Sequence, residues 1–230
     1  MSRIAIITAR GGSKRIPRKN IRPFHGKPVI AYPIQLAKDS GLFDEIMVST
    51  DDFEIAEIAK KYGASVPFMR SPETSNDFAG TLDVLKEVIL NYQQLGISFD
   101  EMCCIYPVSP LIQRESIVQG FDKLKNPDVD FIIPVCRYST PVQRSLKIDN
   151  GKLLMADPAN LNVRSQDLEA RFFDVGQFYI AKVNSLLKTK TLFSDKTAAF
   201  EIDELRVQDV DNEADWKMLE FKYSFLNGTN

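Results

Sequence analysis

Ile4-Ala5-Ile6-Ile7-Thr8-Ala9-Arg10-Gly11-Gly12-Ser13-Lys14-Arg15-Ile16-Pro17-Arg18-Lys19-Asn20 joins an apolar run to a basic loop that carries two glycines. Ile4–Ile7 is too short for a helix and rich in β-branched residues, so it reads as a buried first strand. Five cations (Arg10, Lys14, Arg15, Arg18 and Lys19) then fall within ten residues. Glycines let a backbone approach a ligand closely and aim successive N–H groups at an anion. Arginine forks and a lysine match phosphate oxygens. The loop after a first strand is also where open α/β sheets bind ligands. The stretch therefore predicts a polyphosphate site. A merely solvated charge run fits it poorly, because the cations are threaded between Gly11-Gly12, Pro17 and Asn20 directly after a core strand. Neither GxxxxGK[ST] nor GxGxxG is present, so the loop is not of the P-loop or dinucleotide type.

The remaining chain is a neutral background. It has 29 Lys+Arg against 31 Asp+Glu, and seven of those cations lie between Arg10 and Lys27. No general basic field exists for nucleic acid. A length of 230 residues with 44% hydrophobic content fits one α/β domain over residues 1–230. No apolar run reaches membrane-spanning length, and the N-terminus lacks a signal-peptide layout. Cys103, Cys104 and Cys136 lie in apolar, strand-like segments, with no second cysteine pair for zinc. They read as reduced core residues of a cytoplasmic protein.

Strand and helix signals alternate along the chain. Helical periodicity covers Pro28–Lys38, with Pro33 near its start and Ser40-Gly41 at its end. Glu45–Thr50 reads as a strand, and Asp51-Asp52 as the cap of a helix reaching Tyr62 and stopped by Gly63. Thr81–Tyr92 and Arg114–Lys125 are expected helices, and Glu101–Tyr106 and Asp130–Arg137 expected strands. This rhythm argues for a mainly parallel sheet covered on both faces. From about 138 to 173 the rhythm breaks, with a hairpin signal at Asp149-Asn150-Gly151. That excursion is either a surface loop or a dimerisation arm. Gly176–Ala181 and Glu204–Val210 read as strands, and Asn212–Phe225 as a closing helix. His25 has no catalytic partner in the sequence and reads as a turn residue.

A second constellation is Asp209-Val210-Asp211, followed by Asn212-Glu213-Ala214-Asp215-Trp216. In an extended strand, positions i and i+2 share a face, so Asp209 and Asp211 would project together. Two hard carboxylates suit Mg²⁺, which takes one or two carboxylates and completes its shell with phosphate oxygens and water. Alternatively, Asp211 caps the following helix.

Together these motifs resemble the CMP-nonulosonic acid synthetases, also called acylneuraminate cytidylyltransferases. The likeness runs through ARGGSKRIPRKN (from Ala9), the VSTDD turn, Arg70-Ser71-Pro72-Glu73, Tyr106-Pro107-Val108-Ser109-Pro110-Leu111 and QDVDNEADW (from Gln208). Leu42-Phe43-Asp44, Val66-Pro67-Phe68-Met69-Arg70 and Gly176-Gln177-Phe178-Tyr179 resemble the pseudaminate branch. Many sialate members carry glutamine at the place of Tyr106 and threonine at that of Val108, which turns the expectation away from N-acetylneuraminate. Others have Arg-Pro where this chain has Arg70-Ser71-Pro72.

The resemblance implies a three-layer, Rossmann-like nucleotidyltransferase fold with a dimerisation excursion, acting as a homodimer. It implies transfer of CMP from CTP to a nine-carbon α-keto acid sugar, with Mg²⁺ as cofactor and pyrophosphate as second product. Arg10, Ser13 and the backbone of Gly11 and Gly12 would hold the triphosphate. Lys19 would stabilise charge at the α-phosphate and the departing pyrophosphate, and Asn20 would fix the ribose or α-phosphate. Asp209 and Asp211 would hold the metal. Arg70, with Ala79, Gly80 and Thr81, would form the cytosine pocket, although Arg70 also reads as a surface loop arginine. Tyr106, Gln177 and Tyr179 would face the sugar, expected to be pseudaminic acid, with sialate or legionaminate as the alternatives. A non-catalytic polyanion-binding module and a nucleotidyltransferase acting on a sugar 1-phosphate are the rivals.

Overall fold

Ile4 and Ile6 pack on one side of the first strand and Ala5 and Ile7 on the other, and all four are fully buried. That period of two, with both faces apolar, places the strand inside a sheet covered on each side. In the computed structural model, which describes residues 1–228, β1 (Arg3–Thr8) leads through the basic loop to the short hairpin β2 (Pro23–Phe24) and β3 (Lys27–Pro28). Then follow α1 (Ala31–Ser40), β4 (Glu45–Ser49), α2 (Phe53–Tyr62), α3 (Pro72–Ser75), α4 (Thr81–Gln94), β5 (Glu101–Ile105), α5 (Arg114–Leu124) and β6 (Phe131–Arg137). The later chain forms β7 (Leu146–Asp149), β8 (Lys152–Met155), β9 (Phe172–Asp174), β10 (Phe178–Lys182), α6 (Val183–Lys188), β11 (Thr197–Glu201) and α7 (Glu213–Asn227). Asp52 caps α2 by accepting the Ile55 N–H, and Gly63 ends that helix in the left-handed region, as its sequence suggests.

The seven-stranded sheet has the order β11-β6-β10-β5-β1-β4, with β9 also paired to β6. Strands β1, β4 and β5 are parallel, as are β6 and β11. β10 runs antiparallel to both β5 and β6, and β9 is antiparallel to β6. The sheet is mainly parallel, as expected, because β4, β1, β5, β6 and β11 share one direction, and what the sequence did not announce is that β10 and β9 run against them. Apolar periodicity reports that a strand is buried but not its direction, and β10 enters the gap between β5 and β6 from the end where the excursion closes.

A second difference concerns Glu204–Val210, expected as a strand. It is one 3₁₀ turn over Glu204–Arg206 followed by unpaired chain, and the edge strand is β11 instead. Val207 and Val210, three residues apart, are buried anchors. The carbonyls of Glu204 and Val207 accept from Lys222 Nζ of α7 at 3.1 and 2.6 Å, so a side chain replaces a ladder partner.

Two main cores lie on opposite faces of the sheet. One joins α1, α2 and α5 to Ala5, Ile7, Cys103, Ile105 and Ile180. The other joins α4 and α6 to Ile4, Ile6, Met102, Cys104 and Ala181. All three cysteines are buried and free. A third, smaller core binds α7 to the basic loop through Ile16, Phe24, Val210 and Trp216. Phe24 meets the rings of Tyr32, Trp216 and Tyr223 edge-on, at centroid distances of 5.1 to 5.7 Å. Between 138 and 173, β7 and β8 form the expected hairpin, with Asn150 (φ 48°) and Gly151 (φ 76°) supplying the left-handed turn. Leu146, Ile148, Leu153 and Leu154 of that hairpin are exposed.

Trp216 is fully buried at the centre of the third core. Trp216→Ala is expected to lower stability by about 3–5 kcal/mol, read from urea unfolding midpoints at unchanged slope. A loss below about 1 kcal/mol would mean that this core does not hold the loop.

Candidate active site

The loop ends after β1 and β5, the turn before β10 and the segment before α7 converge on a cavity of about 420 Å³. The basic loop keeps its shape through three anchors. Ile16 is fully buried, and Asn20, also buried, donates from Nδ2 to the Arg10 carbonyl at 2.8 Å. Arg18 adopts a left-handed conformation (φ 57°) that leads into a 3₁₀ turn over Lys19–Ile21. Asn20 thus serves the loop while also lining the cavity.

The two glycines differ in use. Gly11 donates its N–H to Asp51 Oδ1 at 2.8 Å, and a Cβ at Gly11 would lie 2.7 Å from Asp52 Oδ2. Its glycine identity is explained by the close approach of the acidic turn after β4, and its N–H faces a carboxylate in this structure. Gly12 has open space around its Cβ position. Ser13 lines the cavity.

The cations divide among acidic partners. Arg18 pairs with Asp52 and Glu54, outside the cavity lining. Arg10 and Lys14 share Asp77, at 2.9 and 2.5 Å. Arg15 pairs with Asp211 at 2.7 Å. Lys19 instead donates to the Val210 carbonyl at 2.8 Å. Burial pulls its pKa below the usual lysine value, while the carboxylates of Asp209 and Asp211 oppose that shift.

Asp209 lines the cavity, and its Oδ1 accepts the Val210 N–H at 2.8 Å. The structure excludes helix capping as the role of Asp211. Asn212 is the N-cap, accepting from Ala214 and Asp215, while Asp215 accepts the N–H groups of Asp211 and Asn212. Among the described residues no three His, Cys, Asp or Glu side chains gather to hold a metal. The donor set of Asp209 and Asp211 fits only a hard cation whose remaining ligands come from phosphate oxygens and water.

A smaller neighbouring cavity of about 220 Å³ takes in Arg70, Ala79 and Thr81. Arg70 is 8% exposed, so it is no surface loop arginine. Its Nε donates to Ser49 Oγ at 3.0 Å and its Nη2 to the Ser49 carbonyl at 2.6 Å. Gly80 is the N-cap of α4 and donates to Asp83 at 3.1 Å. Tyr106 borders both cavities, and its hydroxyl lies 2.6 Å from Thr81 Oγ1. Burial pushes the Tyr106 phenol up to about 12. Tyr179 packs edge-on against Tyr106 and donates to Asp174 at 2.6 Å, so it stands behind the cavity wall instead of lining it. Gln177 lines the cavity at 4% exposure, with Nε2 donating to the Arg206 carbonyl at 2.5 Å.

Asp77, which borders both cavities, is the site residue that the sequence alone did not single out, whereas Ser49–Asp52 read there mainly as a strand-to-helix turn with a capping aspartate. Asp77 lies in a polar loop with no periodic signal. The one clue for the loop's inner anchor was Ile16, a lone apolar residue inside a basic run.

This architecture, a three-layer α/β fold with a basic loop after β1 and an acidic segment before the last helix, defines a nucleotidyltransferase. Residues 4–214 match the cytidylyltransferase family, and the chain belongs to it. It is 36% identical over 224 residues to a pseudaminic acid cytidylyltransferase from Campylobacter jejuni, covering 97% of each chain. It is 30% identical over 221 residues to a CMP-N,N'-diacetyllegionaminic acid synthase from Legionella pneumophila, covering 94% of each. The solved structure of a CMP:2-keto-3-deoxy-manno-octonic acid synthetase complexed with CTP shares the fold, with a TM-score of 0.71 at 18% identity. It spans 98% of this chain and 100% of that one. No helix among the described residues is long and apolar enough to cross a membrane.

Hydrogen bonding to Arg18 holds the Asp52 carboxyl below the usual aspartate range. A depressed carboxylate stabilises the fold above its unfolded-state pKa, and that contribution is lost as pH falls through the folded value. Asp52→Asn keeps a good N-cap but removes the charge. It is expected to cost about 1 kcal/mol or less near neutral pH, the range for a pair this open to water. The gap between the two unfolding midpoints should close as pH drops below the ordinary aspartate value. A gap that persists at acid pH would assign the cost to packing.

Proposed function

We propose that this cytidylyltransferase joins CMP from CTP to pseudaminic acid and releases pyrophosphate. One observation carries this reading. A cation-lined loop, Asp209 and a wall containing Tyr106 and Gln177 border one cavity of about 420 Å³. The relatives support the sugar class, since identity is 36% to the pseudaminate enzyme and 30% to the legionaminate enzyme. Legionaminate or sialate activation is the alternative within the same chemistry.

In this reading the anomeric hydroxyl oxygen of the sugar attacks the α-phosphorus of CTP. A new P–O bond forms, the bond to the pyrophosphate oxygen breaks, and the hydroxyl proton is released. Such displacement is mostly positioning and charge neutralisation. Arg10 and Ser13, with the N–H of Gly12, hold the triphosphate. Lys19, half-buried and bonded to a carbonyl instead of a carboxylate, serves the α-phosphate and the departing pyrophosphate. Asn20 fixes the loop against the ribose or α-phosphate. Asp209 and Asp211 would hold Mg²⁺, which when bound screens the anionic phosphates from the incoming oxygen. Arg70, Ala79, Gly80 and Thr81 form the cytosine side. Tyr106 and Gln177, backed by Tyr179, form the sugar side. An apolar ring face with a single hydroxyl suits a less hydroxylated sugar. The single domain acts in the cytoplasm, consistent with three buried free thiols. It works as a homodimer joined through the 138–173 arm, whose hairpin exposes Ile148 and Leu153.

Incubation with each nucleoside triphosphate, Mg²⁺ and either sugar tests the reading. Turnover should require CTP, and kcat/KM should favour pseudaminic acid over N-acetylneuraminic acid. Equal or better use of N-acetylneuraminate would overturn the sugar assignment alone, while turnover with another nucleotide would overturn the whole reading. Lys19→Ala is expected to lower kcat by about a hundredfold with little change in KM for CTP. Activity within a few-fold of the unsubstituted enzyme would remove Lys19 from the catalytic set.

The oligomeric state is open to an independent check. Light scattering should report a dimer, and Ile148→Lys with Leu153→Lys should shift it to monomer. A fully active monomer at working concentration contradicts the arm's role.

A further inference from the structure

We propose that Asp77 is a built-in competitor for the phosphate-binding cations, setting how tightly the site holds CTP and how readily it releases pyrophosphate. The inference rests on reading the larger cavity as the triphosphate site. Asp77 presents Oδ1 to Arg10 Nη1 at 2.9 Å and Oδ2 to Lys14 Nζ at 2.5 Å. Two oxygens of one anion, each on a different cation, form the contact pattern that a phosphate group would make with the same pair. Arg10 Nη1 also reaches the Asn76 carbonyl at 3.4 Å. Asp77 borders both cavities, so a nucleotide spanning them meets this carboxylate on its way to Arg10 and Lys14.

The manner in which Asp77 is held sets it apart from the other carboxylates around the loop. Asp52 is fixed as the N-cap of α2, and Asp211 sits directly before the capped start of α7. Asp77 belongs to a polar loop between α3 and α4, where its side chain is 46% exposed and the neighbouring Phe78 is 98% exposed. A segment that buries so little apolar surface moves at small cost. Exposed ion pairs are individually weak, so a polyanion displaces this carboxylate with a modest loss of affinity instead of being shut out. When pyrophosphate leaves, the returning carboxylate takes over its cations, which lowers the cost of separating a highly charged product from a basic loop. Release of product commonly limits turnover in enzymes, and a captive anion acts on that step.

The opposite arrangement is also physically reasonable: Asp77 could hold Arg10 and Lys14 in their binding geometry, in which case removing it would weaken binding. Calorimetric titration of the full chain with CTP and, separately, with inorganic pyrophosphate decides between the two. Asp77→Asn should lower Kd for both ligands by roughly three- to tenfold, the scale of one or two exposed ion pairs. The gain should shrink as salt rises. Asp122→Asn, which removes an equal charge from a surface pair with Lys125 on α5, should leave both constants unchanged. Unchanged or weaker binding in Asp77→Asn, or an equal gain in Asp122→Asn, overturns the competitor role while the polyphosphate reading stands. If the unsubstituted protein binds neither ligand, the polyphosphate reading falls and this inference falls with it.

Discussion

Packing of Ile16, Phe24 and Val210 against Trp216 is the constraint on which the site depends. Five cations within ten residues repel one another, and left to themselves would spread into solvent. Exposed ion pairs oppose that tendency by about 0–1 kcal/mol each. Burial of one isoleucine contributes about 1.5–3 kcal/mol, and the neighbouring rings add more. Apolar packing therefore outweighs pairing in shaping the loop. It also brings positions 191 residues apart into contact, because Val210 lies in that core and its carbonyl receives Lys19 Nζ. Arg22 reinforces the seam, its guanidinium lying 4.4 Å over the Trp216 ring and bonded to Glu213 at 2.6 Å.

Within that frame, charge is distributed unevenly. Arg10, Arg15 and Arg18 each have a carboxylate partner, and Lys14 shares one. Lys19 differs from them in being held by a backbone carbonyl instead of a carboxylate. A dipole fixes the direction of an ammonium without cancelling its charge, which is the condition for strong interaction with an anion in a half-buried setting. A carbonyl partner in place of a salt bridge separates Lys19 from its neighbours in the same loop.

Much of this was legible in the sequence, for identifiable reasons. Element types and ends followed from period and punctuation, as with Asp52 and Gly63 at the two ends of α2 and Asn150-Gly151 at the hairpin. The reversal of β10 was not, since it carries the same apolar run whichever way it points. The Glu204–Val210 segment misled because β-branched residues served as anchors three apart, and a lysine from a distant helix satisfied the backbone. The roles of polar loop residues were the least legible. Whether Gly11 faces an anion or an aspartate depends on how closely the turn after β4 approaches, and that distance is tertiary. Arg70 likewise looks like any loop arginine until Ser49 is brought to it.

The reversed strand has an evolutionary corollary. Two parallel strands, β1 and β5, deliver one side of the site from their carboxyl ends, whereas β10 delivers Gly176 and Gln177 from its amino end, directly downstream of the arm. The two halves of the cleft thus derive from separate stretches of the chain with opposite polarity. Drift in the arm and the turn before β10 can remodel one wall while the cation loop and its aromatic floor stay untouched.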